Sequence, residues 1–368
     1  LGDPGPNPFQ AQEAATGASL PPVFHSATEA EVDRAVTLAH EAAPVLAALS
    51  GADRGILLRD IAAGLEGAAA ELVPRVMAET ALPEARVRGE LARTCFQLRL
   101  FAEVAEEGSW VEARLDAGDP TRTPLPKPDL RAMRHPLGPV AVFGASNFPL
   151  AFGALGGDTA SALAAGCPVV VKAHPLNPGT SELVARVAQG ALARRDLPFG
   201  CLSLLFDAGH GVATRLVQHR DIRAVGFTGS FHGGRALLEL VAERPEPIPV
   251  FAEMGSVNPV VVLPGALAEK GEALGRTLAA SVVNGVGQFC TCPGLVLAVK
   301  GPGFEALREG LREALQTSPA APMLGERLRQ GYLTAMRQRQ AQGAHPAFAA
   351  EGPTGQVKPI LLETSATA

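Results

Sequence analysis

Residues Gly287 to Gly294, reading GQFCTCPG, put Cys290 in a turn punctuated by glycine and proline, just after a helical stretch. Thirty-seven positions upstream stands Glu253 in FAEMGSVNP, and further back Asn147 in FGASNFPL. A thiol nucleophile, a carboxylate base and a side-chain amide donor are the parts needed to make a thioester and then hydrolyse it. Free cysteine is more often a small buried hydrophobe, but Gln288, Thr291 and Pro293 make that reading awkward for Cys290. Neighbouring backbone amides can stabilise a thiolate in such a turn. Cys292 reads as a bystander, or as a partner for reversible oxidation of Cys290.

Glu253 follows the apolar Pro249-Val250-Phe251, which places it at a strand end facing a glycine turn. Partial desolvation there raises a carboxyl towards the range of a general base, although a surface ion pair is the competing reading. Asn147 either forms the turn before Pro149 or donates its amide to an oxyanion. Two further features suit a phosphate-bearing ligand. Thr228-Gly229-Ser230 leads through Gly234 into a helix, where small residues and a helix N-terminus favour a phosphate, yet the stretch is not GxGxxG. Lys172 closes the apolar run Val169–Val171 and precedes His174 and Pro175, so it either snorkels or holds a ligand hydroxyl or phosphate. His135, His174 and His210 fall in loops without spacing to Cys290 that suggests a dyad, and read as surface residues.

The elements that must position these groups alternate. Apolar runs at Val140–Phe143, Val169–Val171, Leu202–Phe206 and Ile222–Phe227 read as strands, with helical stretches near Leu150–Ala165, Ser181–Arg194, Val212–His219 and Gly234–Glu243. This pattern predicts an α/β fold with a Rossmann-like, doubly wound parallel sheet, whose ligands sit beyond the carboxyl ends of the strands. Residues 1–108 form a helical N-terminal part of the cofactor domain, with helical spacing from Glu29 to Phe101, and 109–136 an extended arm or hairpin suited to assembly. Residues 137–250 form the dinucleotide-binding domain. A second α/β unit, the catalytic domain, spans 251–368, with strands at Val260–Leu263 and Leu295–Val299, helices around Leu274–Asn284 and Phe304–Leu315, a loose region, and a last strand at Pro359–Leu362.

At 368 residues, with 47% hydrophobic and 19% charged residues, the chain can bury substantial cores. A net charge of −5 gives no reason to expect nucleic acid or anionic lipid, so a small-molecule substrate is expected. Five cysteines without dense spacing point to a reducing cytoplasm, and a lone CxC offers no metal set. The most apolar region, Val140 to Lys172, is interrupted by Asn147, Pro149 and Asp158 and reads as buried sheet and helix, not as a membrane span. The first residues show no secretion signal, and without an initiator Met the true start is expected upstream.

Taken in order, FGASNFPL, VVVKAHP, GFTGS, FAEMGSVNP and GQFCTCPG resemble the signature of the aldehyde dehydrogenase superfamily, from about Glu29 to the C-terminus. VKAHPLNPGTSE, RPEPIPVFAEMGS and QFCTCPGLV are most similar to the branch of α-ketoglutaric semialdehyde (2,5-dioxovalerate) dehydrogenases and the related NADP-dependent fatty aldehyde dehydrogenases. The resemblance implies Cys290 as nucleophile, Glu253 as the base for deacylation, and Asn147 as oxyanion donor with the Cys290 backbone amide. It implies Lys172 as ligand of the adenosine ribose, and Gly229, Ser230 and Gly234 on the cofactor turn. Where NAD-specific relatives carry a glutamate, Pro175 stands beside His174, so NADP is the expected cofactor, with NAD the other candidate. Phe148, Phe152 and Phe289 would line an apolar tunnel, while Arg93, Gln97 and Arg99 either offer polarity to a carboxylate end or are solvated. The family continues with an ExFGP segment and a terminal strand exchanged between subunits, and this chain ends at Ala368 before either. The implied function is NAD(P)-dependent oxidation of an aldehyde to an acid, with α-ketoglutaric semialdehyde as substrate, in a homodimer or homotetramer. The rivals are a fatty aldehyde dehydrogenase, a cofactor-free thiol hydrolase and an inactive binding member.

Overall fold

The computed structural model describes Gly5 and residues 7 to 365. They fall into two compact units. The first comprises the chain up to Ala11, Pro21–Val76 and Glu84–Glu253; the second comprises Gln12–Leu20, Met77–Pro83 and the chain from Met254 onward.

Two short strands, β1 (Pro8–Gln12) and β2 (Ser19–His25), pair near the start, where the composition had signalled none. Four helices follow: α1 (Glu29–Ala48), α2 (Gly51–Gly67), α3 (Ala69–Thr80) and α4 (Glu84–Glu107). Thr28 and Glu31 start α1 with a capping box, each side chain taking up the other residue's orphan N–H, and Ser50 caps α2 by accepting the Asp53 N–H. The expected arm is a hairpin of β3 (Arg114–Asp116) and β4 (Leu130–Ala132), antiparallel and exposed throughout.

The first unit is organised by a five-stranded sheet in the order β7-β6-β5-β8-β9. Its strands are β5 (Val140–Phe143), β6 (Val169–Lys172), β7 (Leu202–Leu205), β8 (Ala224–Gly229) and β9 (Val250–Met254), and β5 runs parallel to both β6 and β8. The crossovers are α5 (Gly157–Ala164), α6 (Pro178–Arg194), α7 (Gly211–Gln218) and α8 (Phe231–Ala242). Both β5 and β6 are buried along their length, as parallel strands covered on two faces must be. Val32, Val36 and Ala39 of α1 pack with Ala141, Val170, Leu216, Val225 and Leu237 into one core.

The helix expected from Leu150 begins only at Gly157. Residues 148–156 are turns instead, because the backbone doubles back on itself: a Cβ on Gly153 would overlap the Pro149 carbonyl oxygen, and one on Gly156 would lie 2.7 Å from the Phe152 Cα. Apolar content there reports burial rather than helix.

In the second unit, β10 (Pro259–Val262) and β11 (Leu295–Ala298) pair in parallel, flanked by α9 (Pro264–Val283) and α10 (Phe304–Thr317). Val262, Leu267 and Leu307 form one core cluster, and Ala279, Leu311 and Leu315 a second, with Phe348 and Leu361 packed against it. The remainder holds β12 (Ala321–Pro322), α11 (Glu326–Ala341), β13 (His345–Phe348), β14 (Gln356–Val357) and β15 (Leu361–Glu363). The segment expected to be loose thus contains a helix. No residue of α11 is fully buried: its sparse apolar stripe of Leu328, Tyr332, Leu333 and Met336 is at most half-buried, and local pairs such as Arg329 with Glu326 at 2.7 Å support the helix. Among the described residues no single helix is long and apolar enough to cross a membrane.

Candidate active site

Within the first unit the carboxyl edge of the sheet gathers most of the expected groups. Asn147 follows β5, Lys172 ends β6, Thr228 and Gly229 end β8, and Glu253 lies on β9 as an exposed side chain. Lys172 is 9% exposed, and burial lowers its ammonium's proton affinity while Asp207 opposes the shift. Asp207 is itself buried and accepts the Gly209 N–H at 2.7 Å and the Val212 N–H at 3.1 Å.

His174 is not the surface residue expected from its loop. It is half-buried, and burial, with Lys172 nearby, pushes its pKa down to about 3, so the ring is neutral. Its Nδ1 accepts the Leu176 N–H at 3.2 Å, which puts the ring proton on Nε2 as a donor. Pro175 beside it is half-buried, whereas His135 and His210 are exposed.

Ser230 caps α8, its Oγ accepting the Gly233 N–H at 3.1 Å, and Gly234 is buried one turn in. The glycines of this turn also have an internal reason. A Cβ on Gly229 would lie 2.6 Å from the tip of the Phe227 ring and one on Gly233 3.1 Å from it, so the ring folds beneath the turn. The Phe231 and His232 amides, ahead of the Gly233 N–H that Ser230 takes, open α8 at the same sheet edge as Lys172, donors that fit a dinucleotide's phosphate.

Asn147 is half-buried and sits on a tight turn in which Ala145 donates to the Phe152 carbonyl at 2.8 Å and Phe152 donates to the Phe148 carbonyl at 3.1 Å. Phe148 is buried and meets Phe152 edge-on, with centroids 5.6 Å apart. The Arg93 guanidinium, on an exposed side chain, lies 5.2 Å from the Phe152 ring centre. Gln97 is half-buried, with a buried side-chain oxygen that has no hydrogen-bond partner among the described residues. Arg99 is committed elsewhere, in a bidentate pair with Glu66 at 2.8 and 2.7 Å.

Nothing in the motif pattern marked Asp158, on the first turn of α5. Its side chain is half-buried behind β8, 3.2 Å from where a Gly226 Cβ would stand. Burial, and then the charge of Glu253, raise its carboxyl above the ordinary range, so two carboxylates share this side of the sheet. The signal was the acid within GGDT, directly after the turn.

The second unit carries Cys290 and Phe289. After α9 the backbone makes three consecutive left-handed residues, Gly285 at φ 58°, Val286 at 58° and Gly287 at 70°. For the β-branched Val286 this conformation costs about 1–2 kcal/mol, a strain of the kind that clusters at functional sites. Phe289 is buried, and a Cβ on Gly285 would overlap its ring. The next residue, Cys290, is exposed. Asn258, quoted within the Glu253 motif but given no role from sequence, ties this loop down: its Nδ2 donates to the Cys290 carbonyl at 2.6 Å and to the Cys292 carbonyl at 3.0 Å. Gly294 donates to the Val257 carbonyl at 2.8 Å, and Gln288 accepts the Leu324 N–H at 3.0 Å. The Cys292 thiol points back to the Asn284 carbonyl at 3.4 Å, and burial, with Cys290 adjacent, raises its pKa. Of the two thiols, only Cys290 is presented outward. Among the described residues no group of three or more His, Cys, Asp or Glu side chains is placed to hold a metal.

The aldehyde dehydrogenase family profile matches residues 9–345. The chain belongs to the aldehyde dehydrogenase family. It is 50% identical over 311 residues to alpha-ketoglutaric semialdehyde dehydrogenase 2 of Azospirillum brasilense, covering 84% of this chain and 59% of that protein. It is 45% identical over 304 residues to alpha-ketoglutaric semialdehyde dehydrogenase of Acinetobacter baylyi, covering 83% and 57%. This aldehyde dehydrogenase chain thus spans somewhat more than half the length of the curated relatives it matches. Its fold is that of solved family members: a NAD-dependent benzaldehyde dehydrogenase from Corynebacterium glutamicum superposes with a TM-score of 0.84 at 22% identity, covering 97% of this chain and 76% of that one. NADP-dependent glyceraldehyde-3-phosphate dehydrogenase from Bacillus halodurans C-125, complexed with NADP, gives 0.84 at 21% identity, covering 98% and 74%.

Proposed function

We propose that the protein oxidises an aldehyde to a carboxylic acid through a covalent cysteine adduct, with α-ketoglutaric semialdehyde as substrate and 2-oxoglutarate as product. The observation that carries this reading is the outward presentation of Cys290 on a strained, Asn258-tethered loop, in a chain 50% identical to a relative named for that substrate. Cys290 Sγ attacks the aldehyde carbon to give a hemithioacetal. The Asn147 side-chain amide and the Cys290 backbone N–H stabilise the oxyanion. A nicotinamide dinucleotide, when bound, supplies the hydride acceptor that converts this adduct to a thioester. Glu253 then takes a proton from water, which attacks the thioester and releases the acid with Cys290 as leaving thiolate.

Lys172, the His174 Nε2–H, Thr228, Gly229, Ser230 and Gly234 would hold the dinucleotide, and Pro175 in place of a carboxylate suits NADP, with NAD also accepted. Phe148, Phe152 and Phe289 would line the aldehyde's path, with Arg93 and Gln97 addressing a substrate carboxylate and keto group. The edge-on Phe148–Phe152 pair also favours a second reading, longer alkyl aldehydes. The exposed Leu115, Leu125, Leu130 and Met133 on and around the β3–β4 hairpin support assembly into a homodimer or homotetramer through that arm. Five free thiols suit a cytoplasmic location.

The test is aldehyde-dependent reduction of NADP and of NAD across α-ketoglutaric semialdehyde, alkyl aldehydes and an activated ester. Reduction that is lost in Cys290→Ser supports the reading; reduction that survives the substitution, or ester hydrolysis without any dinucleotide reduction, refutes it.

A further inference from the structure

Glu90 is 1% exposed on the inner face of α4, among Val87, Leu91, Thr94, Cys95 and Leu98. A leucine there would satisfy the helix and its packing, and a buried carboxylate is costly unless its oxygens are engaged. One Glu90 oxygen is engaged with a distant segment of the chain, while the other makes no hydrogen bond among the described residues and is met only by an ion pair. Oε1 accepts the Leu150 N–H at 2.9 Å and the Ala151 N–H at 3.0 Å, sixty residues away. Oε2 lies 3.2 Å from Arg86 Nη2, one helical turn back, and the Arg86 guanidinium lies 4.9 Å from the centre of the Phe148 ring. The acid and its arginine therefore grip both sides of Pro149, one by backbone amides and the other by an aromatic face. Leu150 and Ala151 are 2% and 0% exposed, so without Glu90 their amides would lose this acceptor in a place water does not reach. The gripped segment starts one residue after Asn147.

We propose that Glu90 is a positioning residue for the oxyanion site: its carboxylate clamps the Leu150 and Ala151 amides and so fixes the turn that presents the Asn147 side chain. The proposal rests on the role of Asn147 given above. A group that only fastened α4 to the sheet would contribute to stability and nothing else. A group that aims Asn147 acts on the rate through that side chain alone, and a displacement of an ångström at a reacting site costs roughly 100-fold.

The experiment is a double-mutant cycle on the purified protein, with Glu90→Leu and Asn147→Ala singly and together, read by the pre-steady-state burst of reduced dinucleotide, the KM for NADP and backbone amide exchange at residues 150 and 151. Glu90→Leu should slow the burst roughly 10- to 100-fold with the KM for NADP unchanged, and should cost less than about twofold more once Asn147 is alanine. Glu90→Gln keeps a carbonyl acceptor for the two amides and should stay within about threefold of the wild type. Equal losses in both Asn147 backgrounds, or wild-type burst rates in Glu90→Leu, would overturn the proposal. If Glu90→Leu does not fold, the same cycle with Glu90→Ala and Arg86→Gln decides it, and rate losses there that ignore the state of Asn147 count against it. Amide exchange separates the two levels: a wild type that never reduces NADP refutes the proposed function, whereas unchanged exchange at 150 and 151 in Glu90→Leu or Glu90→Ala refutes the clamp.

Discussion

Replacing Asn258 with alanine removes the two hydrogen bonds that hold the Cys290 and Cys292 carbonyls, at 2.6 and 3.0 Å, and leaves a residue with a Cβ at φ 47° where asparagine tolerates the left-handed conformation. Each bond is worth about 1 kcal/mol and the left-handed conformation about 1 kcal/mol more for alanine, so the loop loses roughly 2–3 kcal/mol of bias towards the geometry that presents Cys290. With a factor of ten for each 1.4 kcal/mol, kcat/KM should fall by about 30- to 150-fold. The bonds are local to an exposed loop, so the melting temperature should move little. Two companions separate the terms. Asn258→Gly keeps the left-handed backbone and loses only the donors, so it should fall less than the alanine variant. Asn258→Asp keeps the conformational preference but sets a carboxylate against two carbonyl oxygens, and should fall furthest. The assay is aldehyde-dependent NADP reduction together with the alkylation rate of Cys290 by iodoacetamide. An alanine variant within twofold of the wild type in both would refute the idea that Asn258 sets the cysteine loop.

Acid should destabilise the protein through His174. Its folded pKa of about 3 lies below the ordinary 6.5, so between these values the unfolded chain binds a proton that the folded chain refuses. Stability should therefore fall as pH drops below 6.5, by at most roughly 2 kcal/mol near pH 5. Urea midpoints should show that loss in the wild type and a flatter dependence in His174→Asn; parallel curves would contradict it. The arm makes a separate prediction: Leu115→Glu with Leu130→Glu, both on the exposed β3–β4 hairpin, should give a monomer by light scattering where the parent is a dimer or larger. A parent that is monomeric at high concentration, or an assembly indifferent to the two charges, removes the arm from that role.

The β/α alternation from Val140 onward was legible because parallel strands buried on both faces are short apolar runs and their crossover helices keep a 3.6-residue period. The observed β5 coincides with the expected Val140–Phe143, and α10 lies within two residues of its expected ends. Failures came where the local pattern and the backbone disagree. Residues 148–156 are apolar and helix-like in composition, yet glycines at 153 and 156 let the chain fold against its own carbonyls. Helix α11 carries only a sparse, at most half-buried stripe of Leu328, Tyr332, Leu333 and Met336 among many polar residues, a weak periodicity beside that of a core helix.

The candidate chemistry divides the same way. The types and order of Asn147, Lys172, Glu253 and Cys290 are properties of the chain, because each sits in a short motif whose turn residues dictate a local backbone. Which side chains support them is not local. Asp158 meets the charge of Glu253 only because α5 lies behind β8, Glu90 reaches the Asn147 turn across sixty residues, and Asn258 reaches Cys290 across thirty-two. The chain by itself determined the candidate groups and the strand ends and turns that carry them. Tertiary packing decided which buried polar atoms hold those groups in place, because a buried carboxylate or amide must find partners wherever the fold brings them, and sequence separation sets no limit on that distance.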